Sequence, residues 1–112
     1  MTTYWIEVGQ INDIPPLGAR TINTKTGRIA LFRAEGDKIY ALEDRCPHKN
    51  GPLSQGIVHD CAVTCPLHNW VIDLQSGEAR GPDQGTVPTI PVKITDGKIQ
   101  IAITAEATGT ND

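Results

Sequence analysis

The 112-residue chain predicts an all-β fold built as one domain, and three observations carry that expectation. Aromatic residues make up only 4% of it, so the core must rest on Ile, Val, Leu and Ala, and the β-branched members of that set favour strands. Eight prolines and eleven glycines punctuate the chain too often for long helices. No window holds a helical period, whereas several short runs alternate apolar with polar residues. The length suits a single domain with one modest core.

Taken in order, Tyr4 to Val8 (YWIEV) alternates and reads as a strand, and Thr21 to Thr24 is a short β-branched run. Ile29 to Arg33 (IALFR), the turn Glu35-Gly36-Asp37 and Lys38 to Leu42 (KIYAL) make a hairpin. Ile90 to Thr95 (IPVKIT), Asp96-Gly97 and Lys98 to Ile103 (KIQIAI) give the strongest hairpin signal, because Asp-Gly readily adopts the positive φ values of a type I′ turn. Alternation in KIQIAI puts Ile99, Ile101 and Ile103 on one buried face. The domain therefore covers residues 1–103, and the small, polar residues 104–112 form a frayed tail.

Residues 43–88 read differently. They are broken by Pro47, Pro52, Pro66, Pro82 and Pro88 and by five glycines, and their apolar residues come in twos and threes. Such a loop-rich insertion does not bury a core of its own cheaply, which points to a metal centre as its support. The formal charge of −3, with no cluster of Lys and Arg, excludes a nucleic-acid partner bound through its phosphates. No apolar run of about 18 residues could cross a bilayer and no signal-like start is visible, so a cytoplasmic protein is expected. In that reducing compartment three cysteines favour metal ligation or buried thiols over disulfides.

All three cysteines and all three histidines fall within the insertion, between Cys46 and His68. Cys46-Pro47-His48 and Cys65-Pro66-Leu67-His68 form two Cys-then-His pairs, 16 residues apart, and each cysteine precedes a proline that stiffens its loop. Structural zinc sites usually pair cysteines in one knuckle and histidines in another. A Rieske [2Fe-2S] centre instead takes two thiolates on one iron and two imidazoles on the other, which two loops each giving one Cys and one His supply directly. Cys46, His48, Cys65 and His68 are therefore the predicted cluster ligands, with a structural zinc module for protein interaction as the competing reading. Cys61, on the strand face of residues 63 and 65, reads as a small buried hydrophobe, and His59, beside Asp60, as a solvated turn residue.

At these residues the chain resembles the Rieske family, which implies an antiparallel β-sandwich or barrel with a cluster-binding insertion. The run after His68, Asn-Trp-Val-Ile-Asp73-Leu-Gln-Ser76-Gly77, is similar to the family's strand and turn after the second loop, and Gly81-Pro82 falls at its proline loop. CPHKNGPLSQGIV together with CPLHNWVIDLQSGEARGPD resembles the small subunits of NAD(P)H-dependent assimilatory nitrite reductase. That resemblance implies a large partner subunit carrying FAD, a further iron–sulfur cluster and sirohaem, which reduces nitrite to ammonium. In the respiratory branch of the family a disulfide joins the two loops; Gly51 and Leu67 stand at those positions. Trp70 and Ile72 replace the Ser and Tyr that hydrogen-bond the cluster there, which implies a potential towards the lower end of the roughly −150 to +300 mV Rieske range.

The chain shows no nucleotide-binding glycine loop and no nucleophile with a partnered base, so it is read as a relay with no catalytic residue of its own. A free-standing Rieske ferredoxin feeding an aromatic-ring dioxygenase fits the same motifs. Leu53, Leu67 and Trp70 are expected to shield the cluster or touch a partner, with a plain core role for Trp70 as the simpler alternative.

Overall fold

The computed structural model describes residues 3–24, 27–46, 51–66, 69–80 and 85–104. Ten strands appear in chain order: β1 (Thr3–Gln10), β2 (Ala19–Thr24), β3 (Gly27–Arg33), β4 (Ile39–Glu43), β5 (Ile57–His59), β6 (Ala62–Thr64), β7 (Val71–Asp73), β8 (Thr89–Ile90), β9 (Val92–Thr95) and β10 (Lys98–Thr104). They form three antiparallel sheets, ordered β1-β10-β9, β2-β3-β4-β8 and β5-β6-β7. The mostly antiparallel β architecture is the one the sequence predicts.

The β2-β3-β4-β8 sheet is the middle layer, and β3 shows why. Its run Ile29-Ala30-Leu31-Phe32 is buried throughout, as expected of a strand covered on both faces. Successive side chains go to opposite sides. Ile29 and Leu31, with Ile39 and Ala41 of β4, pack with Ile99, Ile101 and Ile103 of β10. Ala30, Phe32 and Leu42 pack with Cys46, Leu53, Val63, Cys65 and Ile72. The single core expected from the length is in fact two apolar clusters back to back across one sheet.

Three boundaries depart from expectation. The predicted strand over 90–95 is split at Pro91: Thr89–Ile90 pairs with β4, and Val92–Thr95 pairs with β10 in the neighbouring sheet. Proline lacks the N–H that a continuous ladder needs, so the chain changes sheets there. β10 extends to Thr104, opposite Thr3, so the predicted fraying does not begin there, and residues 105–112 lie outside the described ones. The insertion, expected to bury no core of its own cheaply, contains β5, β6 and β7, which form a sheet that packs on the middle layer.

The turn between β9 and β10 is as predicted, with Asp96 at φ 51° and Gly97 at φ 77°, the double positive φ of a type I′ turn. Among the described residues no helix is long and apolar enough to cross a membrane.

Candidate metal centre

β4 ends at Glu43 and feeds Asp44, Arg45 and Cys46 into the first loop. The N–H of Cys46 donates to the carbonyl of Gly51 at 2.7 Å. The second loop repeats the device: Cys65 follows β6, and its N–H donates to the carbonyl of Trp70 at 2.6 Å, just before β7. Each cysteine thus closes a loop of the same length onto the residue five positions on. Thr64 pairs with Val71 at the foot of the second loop.

Both thiols are fully buried, at 0% exposure, in the same apolar cluster, and no disulfide joins them. His48 and His68 lie outside the described residues, as do Pro47, Leu67, Gly81 and Pro82. Among the described residues no three of His, Cys, Asp and Glu gather as a metal site. The structure therefore brings Cys46 and Cys65 together and describes only that half of the predicted ligand set.

Two features hold the loops, and neither is announced by the sequence. Asp44 accepts the Ser54 N–H at 2.7 Å and the Ser54 hydroxyl at 2.8 Å, and pairs with Arg28 at 2.8 Å. It lies in a charged triplet, Glu43-Asp44-Arg45, that reads as a solvated turn. Gly56 leaves the first loop where its α-carbon lies against the carbonyl of Thr64, the residue before Cys65; a methyl group there would collide with that oxygen. Leu53 is fully buried in the apolar cluster with both cysteines and so offers no partner surface; Trp70 is half-buried and packs on the same cluster.

Past β7 the chain is clasped by Asp73. Its carboxylate accepts the N–H groups of Gln75 at 2.9 Å and Ser76 at 3.1 Å, and the Arg80 guanidinium at 2.9 Å. Burial alone would raise the Asp73 carboxyl, but the hydrogen bonds from Arg80, Ser76 and Gln75 together hold it below the usual carboxylate value.

The remaining two residues of the crowded stretch do other things. His59 is half-buried, not fully solvated, with Nε2 2.7 Å from the Thr64 hydroxyl and Nδ1 4.0 Å from Asp60. Cys61 is a half-buried turn residue, because β6 begins only at Ala62. It accepts the Tyr40 hydroxyl at 3.8 Å. Burial, and then the bond to Cys61, push the Tyr40 hydroxyl above its ordinary pKa.

Two thiols in one dry cluster, with no disulfide between them and a histidine in each loop they open, suit a binuclear iron centre with mixed thiolate and imidazole ligation. The fold and the two cysteine-bearing loops thus suit a small all-β iron–sulfur protein. The profile of the Rieske-like [2Fe-2S] domain matches residues 4–102, and the chain belongs to that family. Its cofactor is a Rieske-type [2Fe-2S] cluster and its role is electron transfer, so the zinc reading falls.

Among relatives, the ferredoxin subunit of 3-phenylpropionate/cinnamic acid dioxygenase from Photorhabdus laumondii is 38% identical over 98 residues, spanning 86% of this chain and 91% of its own. A chain from the complex of reduced oxygenase and oxidized ferredoxin in carbazole 1,9a-dioxygenase superposes with a TM-score of 0.79 at 27% identity, over 88% of this chain and 92% of its own. A Mycobacterium tuberculosis protein assigned as the small subunit of NADH-dependent nitrite reductase superposes with a TM-score of 0.81, over 94% of this chain and 99% of its own. At 24% identity that last likeness shows the fold alone.

Proposed function

We propose that the chain is the electron-transfer small subunit of an NAD(P)H-dependent assimilatory nitrite reductase, working in the cytoplasm. Residues 1–103 would form one domain with the cluster in the insertion over 43–88. Cys46 and Cys65 would bind the inner iron, and His48 and His68 the outer, solvent-facing iron. The cluster supplies one electron at a time, and a large subunit carrying FAD, iron–sulfur and sirohaem groups would do the chemistry on nitrite.

The observation that supports this reading is the run from Cys65 to Asp83, CPLHNWVIDLQSGEARGPD, which resembles that small-subunit family and most of whose described members are structurally committed. Trp70 closes the second loop, and Asp73, Gln75, Ser76 and Arg80 form the clasp behind it. A second reading, a Rieske ferredoxin serving an aromatic-ring dioxygenase, is favoured by the 38% identity to a dioxygenase ferredoxin subunit. Deletion of the gene separates the two. Loss of growth on nitrite as nitrogen source, with growth on aromatic carbon sources intact, supports the nitrite reductase subunit. The opposite pattern overturns it in favour of the ferredoxin.

A further inference from the structure

We propose that Asp44 is the positioning residue of the first ligand loop: its buried carboxylate ties the strand entering the loop to the turn leaving it and sets a negative charge beside Cys46. The inference rests on the proposed ligand roles of Cys46 and His48.

Among the described residues Asp44 is the one buried polar or charged residue, and its side chain is fully enclosed. Every hydrogen bond it needs is met. One carboxylate oxygen takes the Ser54 N–H, and the other takes the Ser54 hydroxyl and the Arg28 Nε–H. Its own N–H donates to the Arg28 carbonyl at 2.8 Å. Ser54 sits in the single 3-10 turn Leu53–Gln55 that carries the chain out of the loop. Two ties therefore bracket residues 47–50 in the sequence, Cys46 to Gly51 and, outside it, Asp44 to Ser54.

A buried ion pair is a poor way merely to stabilise a fold, since well-packed apolar residues of the same volume are often as good or better. Its retention two residues before a ligand makes sense if geometry and charge serve the cluster. Among the described residues beside Cys46, Glu43 and Arg45 pair with each other at 2.8 Å, and Asp44 pairs with Arg28. Arg28 is half-exposed, so water screens its charge more than that of Asp44.

The test compares holo-protein of wild type, Asp44→Asn, Arg28→Gln and Ser54→Ala with Ile101→Val, a control in the apolar cluster on the other side of the middle sheet. Cluster loss to a chelator, midpoint potential and Tm are read on each. Asp44→Asn should lose its cluster about tenfold or more faster, as other outer-shell substitutions do, and its midpoint should move positive. Arg28→Gln should also lose cluster faster, with a smaller shift of the midpoint in the negative direction. Ser54→Ala should speed loss with the midpoint nearly unmoved, and Ile101→Val should change neither. Cluster loss in Asp44→Asn that merely tracks its Tm, or midpoints that do not move in opposite directions for Asp44→Asn and Arg28→Gln, overturns the proposal. If Asp44→Asn does not fold, faster cluster loss in Ser54→Ala than its Tm explains, together with a negative midpoint shift in Arg28→Gln, supports the proposal, and the lack of either overturns it. A wild-type protein without a cluster instead overturns the ligand reading on which the proposal stands.

Discussion

The two faces of the middle sheet are built from the same strands and do different work. One face is sealed by long strands: β1 and β10 pair over seven positions, and Ile99, Ile101 and Ile103 cover Ile29, Leu31, Ile39 and Ala41. Among the described residues it contains no cysteine and no buried charge. The other face is covered by β5, β6 and β7, each three residues long, and by the loops that carry the cysteines. Strands that short are marginal by themselves, so this side adds the Asp44 tie and the Asp73 clasp, and the proposed ligands would add the cluster. With the proposed ligands, the difference teaches that the protein would keep its foldedness on one side and its electron-transfer group on the other, with β3 alternating between them.

The largest effect that sharpens this contrast is loss of the cluster itself. Cys46→Ser or Cys65→Ser should remove the bound iron and visible absorbance almost completely. Chelation of the wild type should then speed amide hydrogen exchange in β5, β6 and β7 while leaving β1, β9 and β10 protected. A uniform rise across all sheets would mean the two sides are one cooperative unit.

Adjacent residues of β3 provide the next contrast. Leu31→Ala and Phe32→Ala each empty a fully buried site and should cost about 2–5 and 3–5 kcal/mol in chemical denaturation. Only Phe32→Ala should shorten the lifetime of the cluster in the protein that remains folded, because only Phe32 packs in the cluster of Cys46 and Cys65. Equal lifetimes would break the division of labour. Two glycines repeat the comparison on a smaller scale. A methyl at Gly56 meets the Thr64 carbonyl, whereas one at Gly97 meets nothing within 4 Å and pays only for its positive φ. Gly56→Ala should therefore cost about 1–3 kcal/mol and disturb the cluster spectrum, and Gly97→Ala about 1 kcal/mol with the spectrum unchanged.

The apolar side was the more legible of the two. Ile99, Ile101 and Ile103 alternate in a run ended by an Asp-Gly turn, so strand, register and buried face could all be read locally. The cysteine side was legible in chemistry but not in structure. The two Cys-then-His pairs predict the Rieske-type cluster that the family carries, yet β5, β6 and β7 are too short to show a period, and their sheet packs on Phe32 and Leu42 far away in the chain. Asp44 was hidden for a related reason. A carboxylate flanked by Glu43 and Arg45 looks solvated, and only the return of the chain at Ser54 buries it. Pro91 carries the signal for the split, since a proline within a predicted strand marks the place where a ladder must stop.

The smallest expected effect tests the clasp on the cysteine side through pH. Hydrogen bonds from Arg80, Ser76 and Gln75 outweigh burial and leave the Asp73 carboxyl with a lower pKa in the folded protein than in the unfolded chain. Its contribution to stability is therefore fully present above the ordinary carboxylate value of about 3.9 and fades as pH falls through the depressed folded value. Arg80→Ala removes one of these supports, and because the pair is partly exposed the loss should be about 0.5–1 kcal/mol near neutral pH. The gap between Arg80→Ala and wild type should close as acid protonates Asp73 in both proteins, whereas the gap caused by Ile101→Val, which involves no charge, should stay constant over the same range. Urea denaturation of the three proteins at neutral pH and at a series of pH values falling well below the ordinary carboxylate value checks this. An Arg80→Ala deficit that persists undiminished in acid would show that Arg80 acts by packing and not by holding the Asp73 charge.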